Sequence, residues 1–309
     1  MPRHKILIIK QDTDSFELFF SKNMQTEDVD VMAMYRHTSS LLGKTVRHFA
    51  KRSRNKWFIQ KWVGDWKKSI HVYDIIIVFD KGCTIELLNA IREMAPQAKL
   101  VYWLWNIPRY EIHEHKRIAD YVCCFDEDYS IDNNITYVHQ FHFPDVLEKY
   151  RVDKSDKSVF YIGTEKNRLT QLISFAEIMK NYNIRLDLNV FSLNKKLSYK
   201  DINIIHQFMP YEEVLNRSGE SFVIFETVKE GQTGLTLRAL EALYMGKKLI
   251  TNNSNIVKFD LYNSSNIYVF QGNSDERLGE FLNCDSSLLP PTIMNNYSYE
   301  DWLQKIIHL

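Results

Sequence analysis

The chain is poor in the residues that punctuate irregular backbone, with 10 Gly and 7 Pro among 309 residues. That scarcity excludes fibrous and low-complexity classes and leaves a compact globular protein. Neither sign of charge is in excess: 39 Lys+Arg face 39 Asp+Glu, for a formal net charge of zero. No field therefore steers the whole molecule to nucleic acid, and nucleic acid is set aside as a partner. Cysteine is sparse too. Cys83, Cys123, Cys124 and Cys284 contain no CxxC, and Cys123-Cys124 sits in an apolar run (Tyr121–Phe125). The expectation is buried free thiols in a reducing cytoplasm. Long apolar runs are missing as well. The opening PRHKILIIKQD has four consecutive apolar residues, enough for a first β-strand but not for a signal-peptide core or a membrane span. The histidine pairs His113/His115 and His139/His142 have no third ligand at motif spacing, so no metal site is expected.

What is present is alternation. Short apolar runs at Lys5–Ile9, Val29–Tyr35, Asp74–Phe79, Lys99–Trp105 and Ile135–Val138 read as strands, with helices from Ser15 and over Thr84–Met94 between them. The pattern breaks around Pro144–Ser158 and restarts with strands at Val159–Ile162, Arg185–Phe191, Phe222–Phe225 and Ile267–Phe270, and a terminal helix over Tyr299–Leu309. Continuously apolar strands alternating with helices predict parallel, doubly wound sheets. Length and alternation predict an α/β protein of two Rossmann-like domains facing a cleft, 1–150 and 151–309, with the terminal helix packing back on the first. Ligands of such sheets bind at the carboxyl ends of the strands.

The densest signal is Glu230–Asn253, EGQTGLTLRALEALYMGKKLITNN. Thr233-Gly234-Leu235-Thr236 is a turn; Leu237, Leu240, Ala242 and Leu243 recur at helical spacing; Gly246 stops the helix. Lys247-Lys248 is expected to complement the negative helix end, and Leu249-Ile250-Thr251 to begin a strand. Polar residues crowd the helix entrance: Glu230, Gln232, Thr233, Thr236 and Arg238. Unpaired N–H groups there are a natural seat for phosphate, and Glu241, about two turns in, is placed to accept from ribose hydroxyls. A second basic turn, Gly163, Thr164, Lys166 and Arg168, follows a strand and offers point and bidentate phosphate contacts. The ligand expected is a nucleotide diphosphate.

In the first half, Asp12 ends the first strand and is the candidate general base, with capping of the next helix as the plainer alternative. Lys44–Ser69 carries nine Lys/Arg against one acidic residue, with Phe58, Trp62 and Trp66 four apart. This reads as a helix lying on an anionic membrane surface, ahead of a surface helix packed on its own domain or a nucleic-acid contact.

With VFYIGTEKNRL, GQTGLTLRALEALYMGKKLITNN and WLWN in place, the sequence resembles GT-B glycosyltransferases of bacterial lipopolysaccharide or capsule biosynthesis, of the CgeB-like kind. The resemblance implies a nucleotide-sugar donor held by the C-terminal domain, a glycan or glycolipid acceptor held by the N-terminal domain, and no metal or other cofactor. It would put Gly163, Lys166 and Arg168 by the diphosphate, with Gly234, Leu235 and Thr236 donating to the same group and Glu241 on the ribose. It implies sugar transfer to a hydroxyl of a lipid-linked surface glycan at the cytoplasmic membrane face. A departure is that ten residues separate Glu230 from Glu241, more than the family's usual glutamate pair, which puts Glu230 in doubt as a sugar contact. The alternatives are a nucleotide-sugar epimerase of the same fold, or a non-catalytic membrane or nucleic-acid adaptor.

Overall fold

The computed structural model describes residues 4–36, 61–153, 157–165, 168–229, 231–273 and 276–309. The chain divides into two compact units, one of Met1–Val138 with Leu303–Leu309, the other of His139–Trp302.

In the first unit, β1 (Ile6–Lys10), β2 (Val29–Ala33), β3 (Ile75–Phe79), β4 (Lys99–Leu104), β5 (Tyr121–Cys124) and β6 (Thr136–Tyr137) form one parallel sheet in the order β2-β1-β3-β4-β5-β6. The helix Ser15–Met24 is capped by Asp14, whose carboxylate accepts from Glu17 N–H at 2.9 Å. The helix Ile85–Met94 is capped in the same way by Thr84. Every residue of β1 and β3 is buried, as continuous apolar runs require when helices cover both faces of a sheet. Trp105 closes the carboxyl end of this core, its ring 5.0 to 6.0 Å from Phe16, Phe20 and Phe79.

The second unit repeats the plan. Strands β7 (Ser158–Thr164), β8 (Arg185–Phe191), β9 (Asn203–Ile205), β10 (Val223–Glu226), β11 (Lys248–Thr251) and β12 (Ile267–Val269) make a parallel sheet in the order β12-β11-β10-β7-β8-β9. Leu169–Met179, Tyr211–Glu220, Leu237–Tyr244 and Glu276–Asn283 are its main helices. Phe175 and Phe225 stack at 3.9 Å in the centre, among the fully buried Leu172, Val190 and Leu278. Each such side chain contributes about 1.5–3 kcal/mol through burial.

Three expectations change. The helix read through Trp66 stops short: Val63 bridges Tyr35, and Asp65–Lys68 is a separate 3-10 turn. Gly64 allows the chain to pass close by β2, because a Cβ there would lie 2.0 Å from the Ala33 carbonyl oxygen. Trp66 is fully buried and its indole N–H donates to the Met34 carbonyl, so it is a core residue and not part of an exposed aromatic stripe. Phe58 and most of Lys44–Ser69 lie outside the described residues. Second, Lys248 does not serve the helix end. It is buried in β11, and its ammonium donates to the carbonyls of Ser265 and Phe281 at 2.8 and 2.6 Å. Third, Cys284 is exposed and Cys83 half-buried, whereas Cys123 and Cys124 are buried as expected. The strand β9, three residues long, and the helix Glu276–Asn283, eight residues long, are additions.

Candidate functional site

In the second sheet the chain adds β8 and β9 on one side of β7, then β10, β11 and β12 on the other. The order reverses between β7 and β10. At such a switch point the connections leave in opposite directions and open a crevice beyond the carboxyl ends of the two strands. Both turns singled out in the sequence are the ones that leave these two strands. One begins as β7 ends, with Gly163 and Thr164 its last residues and Arg168 beyond it; the other lies between β10 and the helix that starts at Leu237. The two strands are in register at Val223 with Val159 and Ile224 with Phe160. The turn after β10 is also tied to β7 itself, Thr227 Oγ1 lying 3.3 Å from Tyr161 Oη.

Gly163 ends on this edge with a packing reason of its own: a Cβ would stand 2.4 Å from the Tyr161 hydroxyl. Thr164 closes β7. Arg168 precedes the helix Leu169–Met179, its N–H donating to the Glu165 carbonyl at 2.8 Å. Among the described residues its guanidinium has no hydrogen-bond or ion-pair partner. Lys166 lies outside the described residues, as does Glu230.

The second turn is braced from below. Asn252 Oδ1 accepts from Val228 N–H at 2.7 Å, and Asn253 Nδ2 donates to the carbonyls of Thr233 and Gly234 at 3.2 and 3.3 Å. Gly231 supplies a φ of +79°, and Gln232 N–H closes the turn on the Lys229 carbonyl. Leu235 and Gly234 are buried. Thr236 caps the helix Leu237–Tyr244 by accepting from Ala239 N–H at 3.1 Å, and its hydroxyl donates to Glu226. Thr251 donates to the other Glu226 oxygen at 2.7 Å. Burial raises the Glu226 pKa against the lowering effect of these two hydroxyls. The asparagine pair after β11 and Glu226 were not singled out in the sequence. The signal was there in ITNN, since Asn after a strand commonly binds neighbouring backbone.

Arg238 and Glu241 come together one turn apart. The Arg238 guanidinium, 20% exposed, is ion-paired with Glu241 and donates to Ser218 Oγ at 3.3 Å. Glu241 is 2% exposed and accepts from Tyr211 Oη at 2.6 Å on its other oxygen. Both carboxylate oxygens thus hold protein donors, and a ribose hydroxyl reaching Glu241 would have to displace one. Burial raises the pKa of this carboxyl, while Arg238 and Tyr211 lower it.

In the first sheet the order reverses between β1 and β3. Lys10, Gln11 and Asp12 end one strand; Asp80, Lys81 and Gly82 end the other. Asp14, not Asp12, caps the helix, and Asp12 lies two residues beyond the end of β1. Lys10 is fully buried and paired with Glu17 at 2.5 Å, and Lys81 reaches Glu17 at 2.7 Å and Asp14 at 3.5 Å. Asp80, half-buried, accepts from Trp105 N–H at 2.8 Å. Burial pushes its pKa up to about 6, with the Glu17 charge adding to the rise and backbone N–H groups opposing it. Asp80 went unremarked in the sequence because it reads only as the last residue of an apolar run. Among the described residues no group of three or more His, Cys, Asp or Glu is placed to hold a metal ion. His115 instead stacks on Tyr102 at 4.8 Å.

The fold is the GT-B architecture, two Rossmann-like α/β units. Of solved structures, the chain is similar to an alpha-glucosyltransferase in complex with UDP and a 13-mer DNA containing an HMU base (12% identity, 99% of this chain, 98% of that one, TM-score 0.57). It is similar also to an alpha-glucosyltransferase with UDP-glucose and DNA containing an abasic site (15%, 97% and 91%, 0.57). A third likeness is to the UDP-forming alpha,alpha-trehalose-phosphate synthase of Burkholderia xenovorans with glucose-6-phosphate (10%, 98% and 99%, 0.57). No protein-family model and no curated protein matches the chain.

These likenesses correct the partner reading. Nucleic acid was set aside on net charge, yet structures of this fold, matched over 88–98% of their length, hold DNA. A zero net charge constrains the molecule's total field, not the charge of one face. The anionic membrane surface loses its main support with the burial of Trp66. No helix of the described residues is long and apolar enough to cross a membrane.

Proposed function

We propose that the chain transfers a glycosyl group from a nucleotide diphosphate sugar to an acceptor hydroxyl. The observation that carries this reading is the pairing of a basic turn and a polar helix entrance at the β7/β10 switch point, with the guanidinium of Arg168 unpartnered there among the described residues. The donor diphosphate is assigned to Arg168, Arg238, Thr164, Gln232, Thr233 and the backbone of Gly163 and Gly234–Thr236, with Lys166 as a further cation. In the reaction the bond from the sugar anomeric carbon to the diphosphate oxygen breaks and one to the acceptor oxygen forms. The diphosphate leaves with the electron pair, and the acceptor proton passes to a base. Fixed cations and N–H groups aimed at the leaving diphosphate lower the barrier by neutralising charge as it develops. The base is assigned to the first unit's crevice, at Asp12 or Asp80, and the raised pKa of Asp80 favours Asp80.

The acceptor has two test arms: a lipid-linked surface glycan, the class the sequence resemblance implies, and DNA, the class held by structures of this fold. Purified protein is incubated with radiolabelled UDP-, GDP- and dTDP-sugars plus each acceptor, and products are separated. Label in a new glycoside is expected for one donor, in an Arg168→Ala-sensitive manner. Label recovered only as an altered free donor supports an epimerase instead. Failure of every nucleotide sugar to bind or react ends the donor reading.

A further inference from the structure

We propose that Tyr211 and His142 are positioning residues that aim the Arg238 guanidinium and so set affinity for the diphosphate of the donor. The inference rests on the donor reading above and names the groups behind it.

The argument starts from the direction of a hydrogen-bonded chain. Phe143 N–H donates to His142 Nδ1 at 2.8 Å. That nitrogen must therefore be the unprotonated one, and the proton of a neutral ring sits on Nε2. His142 Nε2 lies 3.0 Å from Tyr211 Oη, so it donates there. Tyr211 O–H in turn donates to Glu241 Oε1 at 2.6 Å. The remaining Glu241 oxygen is the acceptor for Arg238. Each link has one polarity, and the chain ends at a guanidinium.

Burial makes the chain rigid. His142, Tyr211 and Glu241 are 0%, 5% and 2% exposed, whereas the Arg238 side chain is 20% exposed. Only the last member can meet a ligand. The imidazole stays neutral, since burial and the nearby Arg238 charge push its pKa down to about 3. Against the effect of its burial, Arg238 and the Tyr211 hydroxyl both favour the anionic form of Glu241. Ser218 Oγ fixes the guanidinium from the helix Tyr211–Glu220, at 3.3 Å. Arginine loses rotamer freedom when it binds phosphate. A guanidinium whose Nη1 is already held by two acceptors has less to lose, so pre-organisation appears as affinity.

The three structural pieces converge from separate places in the chain: the segment 139–143, the start of the helix Tyr211–Glu220, and the helix Leu237–Tyr244. Ordinary core packing would not need a polar chain here. A half-satisfied version would be worse than an apolar one. A buried chain that occupies both Glu241 oxygens and has Arg238 as its most exposed member is what a positioning device requires.

The test is calorimetry on the full chain with UDP, GDP and dTDP, each beside its bare nucleoside, using the base that binds. Arg238→Ala is expected to weaken the diphosphate about 10- to 100-fold and leave the nucleoside within about twofold. Tyr211→Phe, which keeps the ring and removes only the hydroxyl, is expected to weaken the diphosphate about 3- to 10-fold, again sparing the nucleoside. The double variant should bind no more weakly than Arg238→Ala alone. Ser218→Ala, expected to act in the same sense more mildly, serves if Tyr211→Phe fails to fold. Equal loss for diphosphate and nucleoside, full additivity, or unchanged diphosphate affinity overturns the inference while wild-type binding upholds the donor reading. If the wild-type chain binds no nucleoside diphosphate, the donor reading fails and takes the inference with it.

Discussion

Asp80 shows how a residue invisible in the sequence acquires chemistry from its surroundings. It ends β3 with one oxygen on Trp105 N–H, and burial pushes its pKa up to about 6. A base must be ionised to accept a proton, so activity limited by Asp80 should rise with pH through about 6 and level off above it. The same shift has a stability sign. The folded pKa lies above the unfolded one, so the folded state holds the proton more tightly. Stability is then greatest below pH 4, falls as pH rises to about 6, and stays reduced at neutral pH. Asp80→Asn mimics the protonated form. It should be more stable at pH 7.5 by on the order of 1–2 kcal/mol, after discounting for partial exposure, while transfer activity falls at least about 100-fold. Urea titration and a pH–rate profile measure both. An active variant with an unchanged profile assigns the base to Asp12. Asp12 was legible as a carboxylate at a strand end. Asp80 was not, because its tuning comes from β4 and from Glu17 across the crevice, contacts that no local window contains.

At the scale of elements, the helix Leu237–Tyr244 was the most readable part of the chain. Its apolar spacing, its entrance at Thr236 and its stop at Gly246, which adopts φ +66°, all stood in the sequence. What the sequence did not carry is the double duty of Thr236. Its hydroxyl caps the helix and also donates to the buried Glu226, which Thr251 holds from the neighbouring strand. Replacing Thr236 by Val removes a cap, worth about 1 kcal/mol, and one donor to a buried carboxylate, worth about 1–3 kcal/mol. Thr251→Val removes only a donor. The expected order of stability in urea is therefore wild type, near Thr236→Ser, above Thr251→Val, above Thr236→Val. Equal losses for the two valine variants would mean that the cap contributes nothing. Lys248 teaches the complementary lesson. A lysine after a glycine stop reads as a surface charge, yet its ammonium is buried because Ser265 and Phe281 present carbonyls to it from far along the chain.

For the whole molecule, the doubly wound architecture followed from the strand–helix alternation, because a parallel sheet covered on both faces demands continuous apolar strands. The strand order did not follow, since nothing local says on which side of β7 the chain places β10. That order decides where a ligand can sit. With β8 and β9 on one side and β10 on the other, the turns after Thr164 and Glu226 become neighbours although some sixty residues apart in sequence. Hydrogen exchange on the full chain tests the consequence. Saturating nucleoside diphosphate should slow exchange in 162–165 and 227–239, at the carboxyl edge of the second sheet, through ordering of backbone that is otherwise partly solvent-facing. Peptides at the opposite edge, around 151–153 and 245–247, should not respond. Neither should β1 and β3, whose ends carry Asp12 and Asp80. Protection at the amino edge, or in the first sheet before the second, would move the donor off the β7/β10 crevice. Topology, and with it the whole assignment of Arg168 and Arg238 to one ligand, would then have to yield to the measurement.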